Sequence, residues 1–239
     1  MTKKTFKRRV EDFLRYVRRN PSLGVGILLL LSLLLFVVIG YATYEVERYR
    51  PLSGGPDLAP FQTDNYHPEE FPNGYPLGTD RQGRDIMAVM IAGIPLTLQI
   101  GLIAGLIGIT VGTLLAFISA YYGGVVDQVI STIVDVGLTI PGILILIVIA
   151  VNLQSGLTVP QMGLAVSAVA WVWPARTIRA QVLVMREQLY VEIARLSGTS
   201  GFSIMFKEML PNLAPYIGAS LVGSVASAIL ASVGLEALG

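Results

Sequence analysis

Apolar and polar residues are sorted into blocks along this chain rather than interleaved. Five apolar blocks, at about 23–43, 90–119, 128–151, 160–175 and 213–235, alternate with polar segments. The first, residues 23–44, carries no charge and reaches the roughly 20 residues that a helix needs to cross a hydrocarbon core of about 30 Å. It is longer and bulkier than the apolar region of a cleaved signal peptide, so it reads as a retained anchor. The pattern predicts an all-α, polytopic transmembrane helical bundle with five visible spans. Composition agrees, because 53% hydrophobic against 14% charged residues is an excess that a soluble surface cannot hide and a bilayer can.

Charge gives the blocks a direction. Of 17 Lys and Arg, eight fall in residues 1–20, four in 45–85 and five in 176–207. Basic residues mark the cytosolic flanks of spans, so the tail 1–22 and the segment 176–212 are expected inside. The segment 45–87, with eight acidic residues against four basic, is expected outside. Counting spans from the anchor gives the same alternation. The basic tail, directly ahead of a span, is a topology signal rather than a nucleic-acid arm, and no nucleic-acid partner is expected.

The chemistry available is narrow. There is no cysteine, hence no thiol nucleophile or thiolate metal site, and the single histidine, His67, stands in the outside loop. No phosphate-binding loop, nucleophile elbow or paired-histidine metal motif occurs. No metal, cofactor or catalytic residue is expected, and any energy source must come from a partner or an ion gradient.

Within the spans, Gly101, Gly105, Gly108 and Gly112 are spaced four, three and four residues apart, which lines them along one helical face. In lipid such a face serves close backbone packing. Gly218, Ser220, Gly223, Ser224, Ser227 and Ala231 repeat the theme in the fifth block, suiting a helix contact or a polar-lined path. Asp135 is an ionisable group inside the third block, so it lines a path or reaches interfacial water or a partner chain. Pro141 kinks or interrupts that helix. Trp171 and Trp173, followed by Pro174, Arg176 and Arg179, read as an aromatic belt that ends the fourth span.

Two loops say more. From Glu187 the cytosolic segment reads as a helix through Tyr190, Glu192, Ala194 and Arg195, stopped at Gly198, which suits a left-handed closing position. Thr199 or Ser200 then caps a second short helix with Ile204, Met205 and Phe206, ending before Pro211. The elbow exposes apolar residues, suiting a protein-docking surface or a helix lying in the lipid interface. In the outside loop, Gly78, Thr79, Asp80, Gly83, Arg84 and Asp85 lead directly into the second span. The two glycines permit tight turns and the polar residues can cap them or the following helix.

The run Tyr190-Val191-Glu192-Ile193-Ala194-Arg195-Leu196-Ser197-Gly198, followed by Leu210-Pro211-Asn212, resembles the E-A-A-x-x-x-G…L-P signature of permease subunits of ABC importers. Ile193 replaces the usual first alanine, and Glu208 stands where an apolar residue is common. Gly78-Thr79-Asp80-Arg81-Gln82-Gly83-Arg84-Asp85 resembles the G-T-D-x-x-G-R-D hallmark of the dipeptide, oligopeptide and nickel branch. Tyr121-Tyr122-Gly123-Gly124 with Asp127, Asp135 with Ile140-Pro141, and the run from Ala175 to Leu183 match further, so the resemblance covers almost the whole chain from the first span onward.

That resemblance implies a permease transmembrane domain over 88–239, with 176–212 as its cytosolic coupling loop. It implies that Glu192, Ala194 and Gly198, with Tyr190, Leu210 and Pro211 around them, contact the ATPase. It also implies that the outside motif belongs to the face where a solute-loaded binding protein docks. The expected partners are a homologous second permease, two cytosolic ATP-binding subunits, an extracellular solute-binding protein and bilayer lipid. The expected solute is a peptide, with oligosaccharides or nickel as alternatives and an ion-coupled secondary transporter as the reading from another class. Residues 228–239 resemble the family's T-E-A-x-L-S-F-L-G segment, with Ser232 at the usual Glu. The family continues beyond it, so a sixth span is expected.

Overall fold

The computed structural model describes residue 11 and residues 15–62, 74–152 and 158–236. The basic tail up to Val10 and His67 lie outside the described residues. The chain divides into two units, Met1–Pro95 and Leu96–Gly239.

In the first unit, α1 (Pro21–Thr43) begins with proline at its first position, where the missing N–H has no helical acceptor to lose. Its 23 residues rise about 35 Å at 1.5 Å each, enough to cross a bilayer. It is apolar all round and only Gly40 is buried, as befits a helix solvated by lipid. A side chain at Gly40 would meet Ile91 at 2.6 Å, so the helix is seated by backbone proximity. A short 3-10 turn (Val46–Tyr49) follows. The next segment coils around the fully buried Tyr75, whose hydroxyl donates to the Ser53 carbonyl at 3.1 Å.

α2 (Ile86–Tyr122) is 37 residues long with Pro95 inside it. In the second unit it is followed by α3 (Gly124–Thr139), α4 (Gly142–Asn152), α5 (Val159–Ala170), α6 (Val172–Arg186), α7 (Leu189–Leu196) and α8 (Gly201–Glu236). Among the described residues, three helices are long and apolar enough to cross a membrane, namely α1, α2 and α8, and α3 with α4 makes a fourth if a bent pair counts as one span. α5, at 12 residues, is too short to cross alone.

Three prolines meet three different outcomes. The third block is two helices at 82°, because Pro141 holds Ile140 extended (φ −85°, ψ 122°) and so out of the helical region. The helix of the fourth block also breaks at the Trp-Pro motif. The helix breaks at Trp171 and restarts at Val172, taking Pro174 in its first turn, where proline costs no hydrogen bond. The helix after Ser200 does not stop before Pro211. It continues to Glu236 through a π-helical stretch (Ile204–Met209). The wide turn carries the chain into Pro211 with Leu210 N–H bonded to Met205 O, and the Asn212 side chain donates to the Glu208 carbonyl at 2.7 Å.

Three of the four glycines lined along α2 face other backbone. A Cβ at Gly105 would lie 3.0 Å from the Val225 nitrogen of α8, one at Gly108 2.9 Å from the Ala170 carbonyl carbon, and one at Gly112 2.9 Å from the Ala175 nitrogen, while at Gly101 it would meet Ile229 and Val225 side chains. The main core of this unit joins Phe117 and Ala120 of α2, Ile178 and Val182 of α6, Val191 of α7, and Ile204, Met205 and Met209 of α8.

Candidate functional site

The elbow is built from the turn outward. α7 begins at Leu189 rather than Glu187, since α6 runs to Arg186 and Glu187 and Gln188 join the two. Its eight residues are amphipathic: Val191 is fully buried, while Leu189, Ile193 and Leu196 are 68%, 54% and 82% exposed. α7 closes at Gly198, in the left-handed region at φ 75°, with Thr199 N–H returning to the Ala194 carbonyl at 3.1 Å. Glycine occupies that conformation without the Cβ penalty other residues carry. Ser200 then caps α8, its hydroxyl accepting from Ser203 N–H at 3.4 Å.

Phe202 and Phe206, both exposed, contact each other at 4.5 Å between ring centres and extend the apolar rim. The elbow is fixed rather than loose. Arg195 lies over the Tyr121 ring at 5.9 Å, and a Cβ at Gly201 would stand 2.7 Å from that ring. Tyr190, Ala194 and Leu210 pack on the main core, whereas Glu192 and Pro211 are exposed. Burial pushes the Tyr190 hydroxyl pKa up, with Asn212 opposing and Glu208 adding to the rise.

Above the elbow, a cavity of about 500 Å³ opens within the second unit. Its walls include Pro141 and Gly142 at the break of the bent span, Trp173 and Thr177 of α6, and Tyr216, Ser220, Ser224 and Ser227 of α8. The small-residue stripe of α8 therefore borders open space, while the next face of the same helix, at Val225 and Ile229, receives Gly101 and Gly105 of α2. None of the lining residues is charged. Asp135 is not among them. It receives Arg176 Nη1 at 3.2 Å, and both side chains are about three-fifths exposed.

One cluster was missed from the sequence. Arg179 of α6 grips Asp127 of α3 in a two-pronged pair, Nε to Oδ1 at 2.6 Å and Nη2 to Oδ2 at 2.5 Å. The buried Ser119 hydroxyl of α2 bonds the same carboxylate and accepts from Arg179 Nε at 3.1 Å. Arg186 Nη1 donates to the Ala120 carbonyl at 2.8 Å, at the end of α2. The available signal was two acidic residues in α3 and three arginines in α6, charges that membranes tolerate when they pair.

In the first unit the motif at 78–85 is closed on itself. Thr79 and Asp85 form an antiparallel bridge, Gly78 and Gly83 have φ of 80° and 69°, and the Thr79 hydroxyl accepts from Leu58 N–H at 2.9 Å. Asp85, fully buried, accepts from Met87 N–H at 2.9 Å at the start of α2 and takes the Tyr44 hydroxyl on its other oxygen. Burial, then that bond, drives the Tyr44 pKa far above its ordinary value. Asp80 accepts from the N–H groups of Gln82 and Arg84 at 2.8 and 2.9 Å and from Arg84 Nε at 2.6 Å. Burial alone would raise its pKa, but these donors outweigh burial and hold the carboxyl below its usual range. Arg81 and Gln82 are the motif residues left most exposed.

Residues 108–239 match the family of binding-protein-dependent transport system inner membrane components. The chain belongs to this family. It is a permease, a membrane protein whose work is transport. It is 28% identical over 234 residues, 96% of this chain and 72% of the relative, to a glutathione transport system permease protein of Pectobacterium atrosepticum. It is 30% identical to a dipeptide transport system permease protein of Haemophilus influenzae, over 96% of this chain and 76% of the relative. An oligopeptide transport system permease protein of Lactococcus lactis is 32% identical over 70% of this chain and 56% of its own length.

Proposed function

We propose that this permease forms half of the path of an ATP-driven importer for di- and oligopeptides, the other half coming from a homologous second permease. Of two cytosolic ATP-binding subunits that hydrolyse ATP, one seats on the elbow around α7 and the other on the second permease, so the chain itself is not catalytic. A solute-binding protein delivers the peptide on the opposite side, against the face that includes the 78–85 motif. The amino terminus lies in the cytosol. The three relatives' names, all of peptide-class transport systems, support the solute class. The uncharged walls of the cavity suit peptides of varied side chains, because a fixed charge would favour one sign of solute.

The observation that carries the reading is the elbow. A short helix with one face locked into the core and three large apolar residues facing out has the form of a docking knob. Nothing lies within 4 Å of where a Gly198 Cβ would be, so a large residue there projects outward into the docking space. Gly198→Trp is expected to abolish uptake and transport-coupled ATP hydrolysis while membrane insertion is retained. Gly198→Ala, which carries the backbone strain without the bulk, separates the two effects. Normal uptake in the tryptophan variant would sink the docking role.

A further inference from the structure

We propose that Asp127 and Arg179 are a positioning pair that ties the bent span to the docking elbow and so carries ATP-driven movement to the cavity. The proposal rests on the reading of α7 as the ATPase contact.

α3 is a 16-residue rod with a break at each end. At one end Gly123 and Gly124 are both left-handed, with φ of 67° and 58°. At the other the chain turns through 82° at Pro141, on the cavity wall. A rod broken at both ends holds its place only through its sides, and its side contacts run mainly to α6, with Ser119 of α2 beside them. Val134 packs with Val172 and Ala175, and two ion pairs bridge the same helices, Asp127 to Arg179 and Asp135 to Arg176.

The two pairs are not equivalent. Asp135 and Arg176 are 62% and 60% exposed and meet through a single nitrogen at 3.2 Å, so they fasten little. Asp127 and Arg179 are 22% and 30% exposed, are engaged through two nitrogens, and share the Ser119 hydroxyl. Forked contacts of this kind fix orientation as well as distance. Removing one partner also leaves the other charge uncompensated.

α6 in turn belongs to the elbow. Ile178 and Val182 share a core with Val191 of α7, and only Glu187 and Gln188 separate the two helices. A push on α7 therefore moves α6 as one body. The Arg179 fork passes that movement to α3, and the Gly123-Gly124 and Pro141 breaks let α3 swing. Coupling of this form needs an element with two arrangements that both sites bias, and α3 fits the description.

The chain contains no cysteine, so a spin-label pair can be placed without removing native residues. Cysteines at Ile133 on α3 and Val222 on α8, both more than half exposed, report the swing in the complete transporter reconstituted in lipid, with and without ATP. The wild-type background is expected to show an ATP-driven change in this distance. Asp127→Ala and the gentler Asp127→Asn are expected to keep bound ATPase subunits and their basal hydrolysis. They should lose the distance change, and stimulation of hydrolysis by the loaded binding protein should fall about tenfold, a size usual for coupling between sites. The double reversal Asp127→Arg with Arg179→Asp is expected to restore both, a rescue that a role in bulk stability alone would not give. A full distance change in Asp127→Ala, or a double reversal no better than either single change, would overturn the proposal. ATPase subunits that fail to bind even the wild-type chain would overturn the docking reading instead.

Discussion

Asp80 and Asp85 divide the labour of one turn. Asp85 caps α2 and holds the Tyr44 hydroxyl, while Asp80 gathers three donors from its own loop. The depressed pKa of Asp80 fixes the sign of its pH dependence. A carboxylate that ionises more readily folded than unfolded contributes its full stabilisation above the unfolded pKa, and loses it as pH falls through the folded one. The 78–85 turn is therefore expected to open to protease as pH drops through and below the ordinary carboxylate range. Asp80→Asn should be more open at neutral pH and nearly flat across the same titration. Limited proteolysis of the detergent-solubilised protein checks this, and a wild-type profile identical to that of the variant would count against it. The motif's spelling was legible in the sequence. That its Thr and Asp side chains turn inward on Leu58, Gly55 and Tyr44 was not, since those partners lie 21 to 41 residues away.

At the scale of elements, α2 and α8 meet where side chains are missing. Lipid tails are as apolar as the helices themselves, so association rests on close contact rather than on escape from water. Gly105→Val is the sharpest probe, because its Cβ would sit 2.6 Å from a Val225 methyl and 3.0 Å from the Val225 nitrogen. Overpacking of this kind costs about 1–3 kcal/mol. It is expected to lower the midpoint of thermal unfolding in detergent, whereas Gly93→Val, at a position with nothing within 4 Å, should not. Equal midpoints for the two would show that the interface gives way easily. Proline shows the limit of local reading. Pro141 breaks a helix, Pro174 sits harmlessly in a first turn, and Pro211 is passed by a π-helical stretch. The same residue has three outcomes, because the cost depends on whether an acceptor and a clash are present in that turn.

For the molecule as a whole, the expected consequence of assembly is selective protection. Amide exchange across α7 and the first turns of α8 should slow when the ATPase subunits bind, while α1 stays unchanged, and exchange unaltered at α7 would remove the elbow from the interface. What the sequence determined by itself was the class: an apolar, charge-segregated chain has to be a helical membrane protein, and long uncharged runs mark helices because backbone groups in lipid must bond within their own segment. It also determined the closing turn at Gly198, where only local backbone chemistry is at stake. Tertiary structure decided which helix faces meet. It turned one stripe of α8 toward a cavity and the next toward Gly101 and Gly105 of α2, and it brought Arg179 onto Asp127 across 52 residues. Lipid immersion is a sum over neighbouring residues and can be read along a string. A pairing across helices depends on relative rotation and depth, which exist only once the helices have packed.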